Sequence, residues 1–234
     1  MGRTFHEVSF IKKISNLHCS QYSKPDGNVS WLAVTHFETT GARKSFPCLD
    51  EPDKKAKFDV KLGRKPSMQA RSNMPISQSE TLENGIVMDT FETSPKMSTY
   101  VLAFLVSDFA YTENENESMY KIWHQETKSG QADYAASIGP VILHYYEEYF
   151  NLTYPLPKMD MVAIPDFGPG AMENWGLITY REVLLLLDEQ VSSATNKERV
   201  TDVMAHELAH QWFGNIVTMK WWNDLWLNEG RCIN

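Results

Sequence analysis

His206-Glu207-Leu208-Ala209-His210, with an 18-residue spacer to Glu229, constrains this chain more than any other feature it carries. On a helix the two histidines stand at i and i+4, about one turn apart on one face, so both imidazoles can reach a single metal ion. Glu207 lies one position further round, where it can hold a water bound to that metal. Glu229, arriving from a following helix, would complete three protein ligands and leave a fourth position open. That is the pattern of catalytic zinc rather than of closed structural zinc, and a His2Glu donor set suits Zn2+, one per chain. The same pentapeptide can also arise on a surface helix, where its charges are merely solvated. Two features argue against that. The motif sits in an apolar run (Val203, Met204, Leu208, Ala209, Trp212, Phe213) in which unpaired His and Glu would be costly to bury. Glu229 also stands in a tryptophan-rich stretch, residues 221–230.

The chain has 234 residues, enough for one large or two modest domains. Its 42% hydrophobic content can build a core, and 22% charge is ordinary for a folded protein. With 22 basic and 30 acidic residues the net charge is −8, and no basic cluster points to nucleic acid. The net negative field modestly favours cationic ligands, although salt screens it beyond about 8 Å. No apolar run reaches the length of a membrane span, the longest aliphatic stretch being residues 183–187. Residues 1–13 hold no apolar core of a signal peptide. Cys19, Cys48 and Cys232 form no spaced metal or disulfide framework; at most one pair could bridge, and nothing selects it. Glycosylation tripeptides begin at Asn28, Asn116 and Asn151 and matter only in a secretory compartment.

Residues 18–111 read as β structure: short apolar runs at 31–37, 57–62, 86–88 and 99–106 are separated by Pro/Gly/Asn turn signals. The pattern predicts an antiparallel sheet or sandwich. The acidic segment 112–118 has no apolar face and is the best candidate boundary between this part and residues 112–234. Beyond it, 119–123 reads as a strand and 132–150 as a helix stopped by Pro155 and Pro157. Residues 158–164 read as a strand entering a Gly/Pro loop, and 176–180 as a further strand. Asn196 is the expected N-cap of the metal helix at 197–213, with Gly214 as its stop, and Asn223 the expected cap of a helix carrying Glu229. Residues 1–17 stay unassigned.

Gly170-Ala171-Met172-Glu173-Asn174 precedes the metal helix. Taken alone, a glutamate in a Gly-rich loop is more often a solvated turn residue. Taken with the HExxH motif and the spacer to Glu229, it resembles the gluzincin zinc aminopeptidases, the aminopeptidase N family. Residues 46–52 (Phe-Pro-Cys-Leu-Asp-Glu-Pro) and 221–230 look like segments of the same family, and the resemblance runs from about Ser20 to Gly230. It implies a two-part α+β fold, a partial N-terminal antiparallel β-sandwich followed by a truncated thermolysin-like catalytic domain. It implies hydrolysis of the N-terminal peptide bond, with zinc-activated water and Glu207 as general base. By the same resemblance His206, His210 and Glu229 match the zinc ligands, and Glu173 matches the residue that binds the substrate's free α-amino group. Glu38 resembles an acidic position helping to form that subsite, and Gly170 and Ala171 are expected to offer main-chain contacts to the substrate. Its partners would be peptides with a free N-terminus. His36 stands where many relatives have glutamine, so the side-chain preference does not carry over.

The departure lies at the ends. The family motif continues Asn-Glu-Gly-Phe-Ala, whereas this chain reads Asn228-Glu229-Gly230-Arg231-Cys232-Ile233-Asn234. The expectation is a chain truncated at both ends, without the tyrosine that stabilises the tetrahedral intermediate in the family. Two classes stay open: a zinc aminopeptidase, or a catalytically inactive zinc-binding or partner-binding fragment of one. Members of the family face the plasma membrane or extracellular space in many cases and the cytoplasm in some; the sequence selects neither a compartment nor an oligomeric state.

Overall fold

The computed structural model describes residues 16–115 and 117–230. It is mostly sheet with few helices. The described residues open with a hairpin of β1 (Leu17–Ser23) and β2 (Val29–Thr35), in register from Leu17 opposite Thr35 to Ser23 opposite Val29. Gly27 supplies the left-handed position of the turn, φ +80°, and Asp26 accepts the Asn28 N–H at 2.9 Å. Next come β3 (Lys61–Arg64), β4 (Gln69–Ser72), β5 (Ile76–Thr81), β6 (Val87–Phe91) and β7 (Phe104–Ser107). They form two antiparallel sheets, one ordered β1-β2-β7-β4 and the other β3-β6-β5. The apolar run at 99–106 divides into a 3-10 turn at Thr99–Val101 and β7, and the strand expected at 57–62 begins only at Lys61.

The second half is built on a five-stranded sheet. Its strands are β8 (Ala110–Asn114), β9 (Glu117–His124), β10 (Met159–Ile164), β11 (Ala171–Met172) and β12 (Leu177–Arg181), ordered β11-β12-β10-β9-β8. The central three run parallel, and the 18-residue helix α1 (Asp133–Phe150) makes the crossover from β9 to β10. All six residues of β10 are buried, as befits a central strand covered on both faces. The period of two sorts them. Met159, Met161 and Ala163 pack with Ala135, Ala136 and Leu143 of α1 and with Val200, Met204 and Leu208 of the helix that follows the sheet. Val162 and Ile164 pack on the other face with Leu32, Val34, Leu105 and Phe109 of the N-terminal sheet. The two halves thus share a core through one strand.

The acidic segment read as the candidate boundary takes in the end of β8 and the start of β9. Its charges sit on the solvent side of an edge hairpin, which is why no apolar face was visible, and it has a structural duty. Pro140 lies inside α1 and has no N–H to offer the Ala136 carbonyl one turn back. Asn114 of β8 donates to that carbonyl at 3.1 Å. One residue earlier, Gly139 lets the Tyr120 ring lie against the helix, where an added Cβ would fall 2.3 Å from the phenol oxygen.

The chain then forms α2 (Ala194–Ala209) and, after a 3-10 turn at Trp222–Asp224, the short α3 (Trp226–Glu229). Asn223 falls inside the 3-10 turn rather than capping α3. Cys19 and Cys48 are free thiols; Cys232 and the Asn116 glycosylation site lie outside the described residues. Among the described residues no helix is long and apolar enough to cross a membrane.

Candidate metal centre

The metal helix starts earlier than its sequence suggests. Ser193 is the N-cap: its hydroxyl accepts from the Asn196 N–H at 3.2 Å, while the Asn196 side chain accepts from the Ser193 N–H at 3.0 Å. Asn196 is therefore the third helical residue of a capping box, not the cap expected. Val200, Met204 and Leu208, four residues apart, are fully buried and fix the rotation of α2 about its axis. That rotation sets His206 and His210 together on an adjoining face. Regular helix ends at Ala209, and Gly214, at φ +132°, turns the chain back.

His206 Nε2 and His210 Nε2 lie 3.0 Å apart, with the two rings perpendicular. Glu229 Oε2, delivered by α3, stands 3.3 Å from the first and 3.6 Å from the second. His210 Nδ1 is 2.9 Å from the Phe213 carbonyl, which can only accept, so the proton belongs on Nδ1 and Nε2 keeps its lone pair. Three donor atoms facing one another this closely repel unless a cation lies between them. Zinc held at about 2.0–2.1 Å by N and O ligands in tetrahedral geometry requires ligand atoms roughly 3.3 Å apart. The observed edges bracket that value, so the group fits the ion.

Glu207 is buried beside this triangle, and its Oε2 has no hydrogen-bond partner among the described residues. Burial, and then the negative charges of Glu173, Glu229 and Glu38, push its carboxyl well above the usual carboxylate range, while His210 opposes them. Glu38, half-buried just past β2, is pushed up to about 8 by burial and then by Glu173 and Glu229. The His206 and His210 imidazoles, facing Glu229 at 3.3 and 3.6 Å, hold its carboxyl far below the ordinary range. Four carboxylates from four separate segments therefore act on one another, in a site that favours cations.

Glu173 follows β11 and is also buried. Its carbonyl accepts from Asn215 Nδ2 at 2.9 Å, which ties the loop bearing it to the exit of the metal helix. β11 is the edge of its sheet. The Arg181 N–H bonds to the Gly170 carbonyl at 2.9 Å, so Ala171 and Tyr180 form a non-hydrogen-bonded pair. The main-chain groups of Ala171 consequently face away from β12 toward the free edge, whereas the Gly170 carbonyl is committed inward.

Several residues around the centre escaped sequence reasoning. Tyr100, Lys55, Asn215 and Asn228 are all buried or half-buried and bond to the segments that carry the candidate ligands or Glu173. Tyr100 lies in an apolar run that reads only as core, and Lys55 in a polar one that reads only as surface. Asn228 adjoins a ligand, which was the one signal available.

Comparison with known proteins matches the Peptidase M1 N-terminal domain to residues 8–101 and the Peptidase family M1 domain to residues 134–233. Endoplasmic reticulum aminopeptidase 1 of Mus musculus is 52% identical over 227 residues, 96% of this chain and 24% of that protein. Endoplasmic reticulum aminopeptidase 2 of Homo sapiens is 53% identical over 213 residues, 90% of this chain and 22% of that protein. Glutamyl aminopeptidase of Bitis rhinoceros is 51% identical over 207 residues, 88% of this chain and 22% of that protein. The chain thus spans roughly a quarter of the length of the curated relatives it matches.

Proposed function

The chain belongs to peptidase family M1, and from that membership we propose that it carries the metal centre and the amino-terminal subsite of a zinc aminopeptidase acting on peptides with a free N-terminus. The observation that carries this reading is the convergence of His206, His210 and Glu229 beside the buried Glu207, with Glu173 and Glu38 acting on the same group. His206 and His210 through Nε2 and Glu229 through Oε2 would hold one zinc. When bound, zinc supplies a Lewis acid that polarises the scissile carbonyl and acidifies water. Glu207 Oε2 accepts the proton of the attacking water and returns it to the leaving amine. Its burial beside the ligands, with an oxygen that no described residue engages, leaves that carboxylate available for the exchange.

Exopeptidase action needs a fixed anion for the substrate's ammonium. Glu173 and Glu38 supply it, and an ammonium held there offsets the Glu173 charge that helps push the Glu38 carboxyl up. The free edge of β11 offers the Ala171 main chain to an extended peptide, with Gly170 bending the chain into that edge. The test is direct. The purified chain is analysed for zinc and assayed against a panel of aminoacyl fluorogenic substrates. One zinc per chain with turnover supports the reading. Stoichiometric zinc without turnover turns the assignment to a binding fragment, and absence of zinc removes the metal centre itself.

A further inference from the structure

Tyr100 belongs to the N-terminal half, in the 3-10 turn before β7, yet its hydroxyl ends at the metal centre. It donates to the Gly214 carbonyl at 3.0 Å and accepts from Asn228 Nδ2 at 3.2 Å. Gly214 ends the segment that carries His206 and His210. Asn228 immediately precedes Glu229. One buried oxygen therefore joins the two segments that deliver all three candidate ligands. The Tyr100 ring also meets Trp222 edge-on, 5.2 Å between centroids, just ahead of α3. Lys55, from the same half, donates to the Asn215 and Ile216 carbonyls at 2.9 and 3.1 Å and pins the loop between those segments.

α3 has only four residues, too few to hold its own geometry. Glu229 is about two-fifths exposed, so the core does not fix it either. Its position relative to the histidines must come from bonds across the gap, and the Tyr100 hydroxyl makes the bridging pair.

We propose that Tyr100 is a positioning residue for the metal centre: its hydroxyl sets the distance between Glu229 and the His206–His210 pair and so sets zinc affinity. The inference rests on the metal-centre reading given above. Outer-shell partners of ligands typically change metal affinity by about 10–100-fold when removed, and that is the size of effect expected here.

The experiment compares zinc dissociation constants, by competition with a chromophoric chelator, for the 234-residue chain and its variants. Tyr100→Phe keeps the ring on Trp222, and the Gly214 carbonyl still has Thr218 Oγ1 as a donor at 2.6 Å. It should weaken zinc binding about 10–100-fold. Tyr120→Phe removes an equally buried phenol hydroxyl, which bonds to Met161 Sδ at 3.2 Å away from the ligands. It should leave the constant unchanged. Asn228→Ala breaks the other arm of the bridge, and its effect should not add to that of Tyr100→Phe, since both act through one bond. Unchanged affinity in Tyr100→Phe, an equal loss in Tyr120→Phe, or full additivity in the double variant would each overturn the inference while leaving the metal centre standing. Should Tyr100→Phe not fold, Asn228→Ala carries the test: a loss supports the bridge and an unchanged constant overturns it. A wild-type chain that binds no zinc overturns both readings together.

Discussion

Two buried glutamates can be told apart by what surrounds them. Glu207 buries an oxygen with no hydrogen-bond partner among the described residues, and Glu173 follows the edge strand of its sheet. In an active enzyme carrying these residues, Glu207→Gln should keep zinc and lower kcat by about 10²–10⁴, the range ascribed to a general base. Zinc analysis beside steady-state kinetics checks it, and a variant with wild-type kcat would remove Glu207 from the chemical step. Glu173→Ala should erase a preference of about tenfold or more for free over N-acetylated peptides, since a charge-assisted contact is worth about 1.5–3 kcal/mol. Its effect need not stop at KM, because a misplaced N-terminus also misplaces the scissile bond. Cleavage of both peptides equally well by wild type and variant alike would make the protein endopeptidase-like. His210→Ala should abolish stoichiometric zinc in elemental analysis. His206, Glu207, His210 and Glu229 stand out in the sequence because metal chemistry demands rare types at fixed spacing, whereas Glu173 stands out only through the family resemblance. Tyr100 does not, since a tyrosine in an apolar run gives the same signal whether its hydroxyl is idle or bridges two segments.

Elements were legible where periodicity was long and their ends were not. The strongly patterned α1 and the buried β10 fall within a residue or so of expectation. The start of α2 does not, because Ser193 and Asn196 are both good capping residues and only the three-dimensional reciprocity of their bonds decides between them. Ser193→Ala should therefore destabilise the chain by about 1 kcal/mol in thermal or denaturant unfolding. Asn196→Ala, expected under the sequence reading to be the larger loss, should cost less. The hairpin at β8 was missed for a different reason: its value lies in a single side chain. Removing it by Asn114→Ala strands the carbonyl that Pro140 cannot serve, at about 1–3 kcal/mol. If denaturant midpoints do not move, another donor satisfies that carbonyl. Gly176 is stricter. It adopts φ +78°, and a Cβ there would lie 2.6 Å from the Asn73 carbonyl, so Gly176→Ala should be among the most damaging small substitutions in β12's approach.

At the scale of the molecule, the division into β-rich and mixed halves was visible in composition, but their mutual dependence was not. The N-terminal sheet covers one face of the central strand, and Asn73 donates to the Val101 and Trp175 carbonyls at 2.7 and 2.9 Å, stitching the halves beside Glu173. No local pattern announces such bonds, because their partners lie far apart in the chain. That separation has a kinetic consequence. The bridge from Tyr100 spans 114 positions to Gly214 and 128 to Asn228, and the Lys55 tie spans 160 to Asn215. Closing loops of this length is slow and comes after local helices and hairpins have formed. In refolding, recovery of the far-ultraviolet signal should precede the rise of tight zinc uptake. Simultaneous recovery would mean that α2 and α3 assemble without the first half. Zinc capture would then time the fold, marking the moment when the first strand-rich stretch and the short helix bearing Glu229 have found each other.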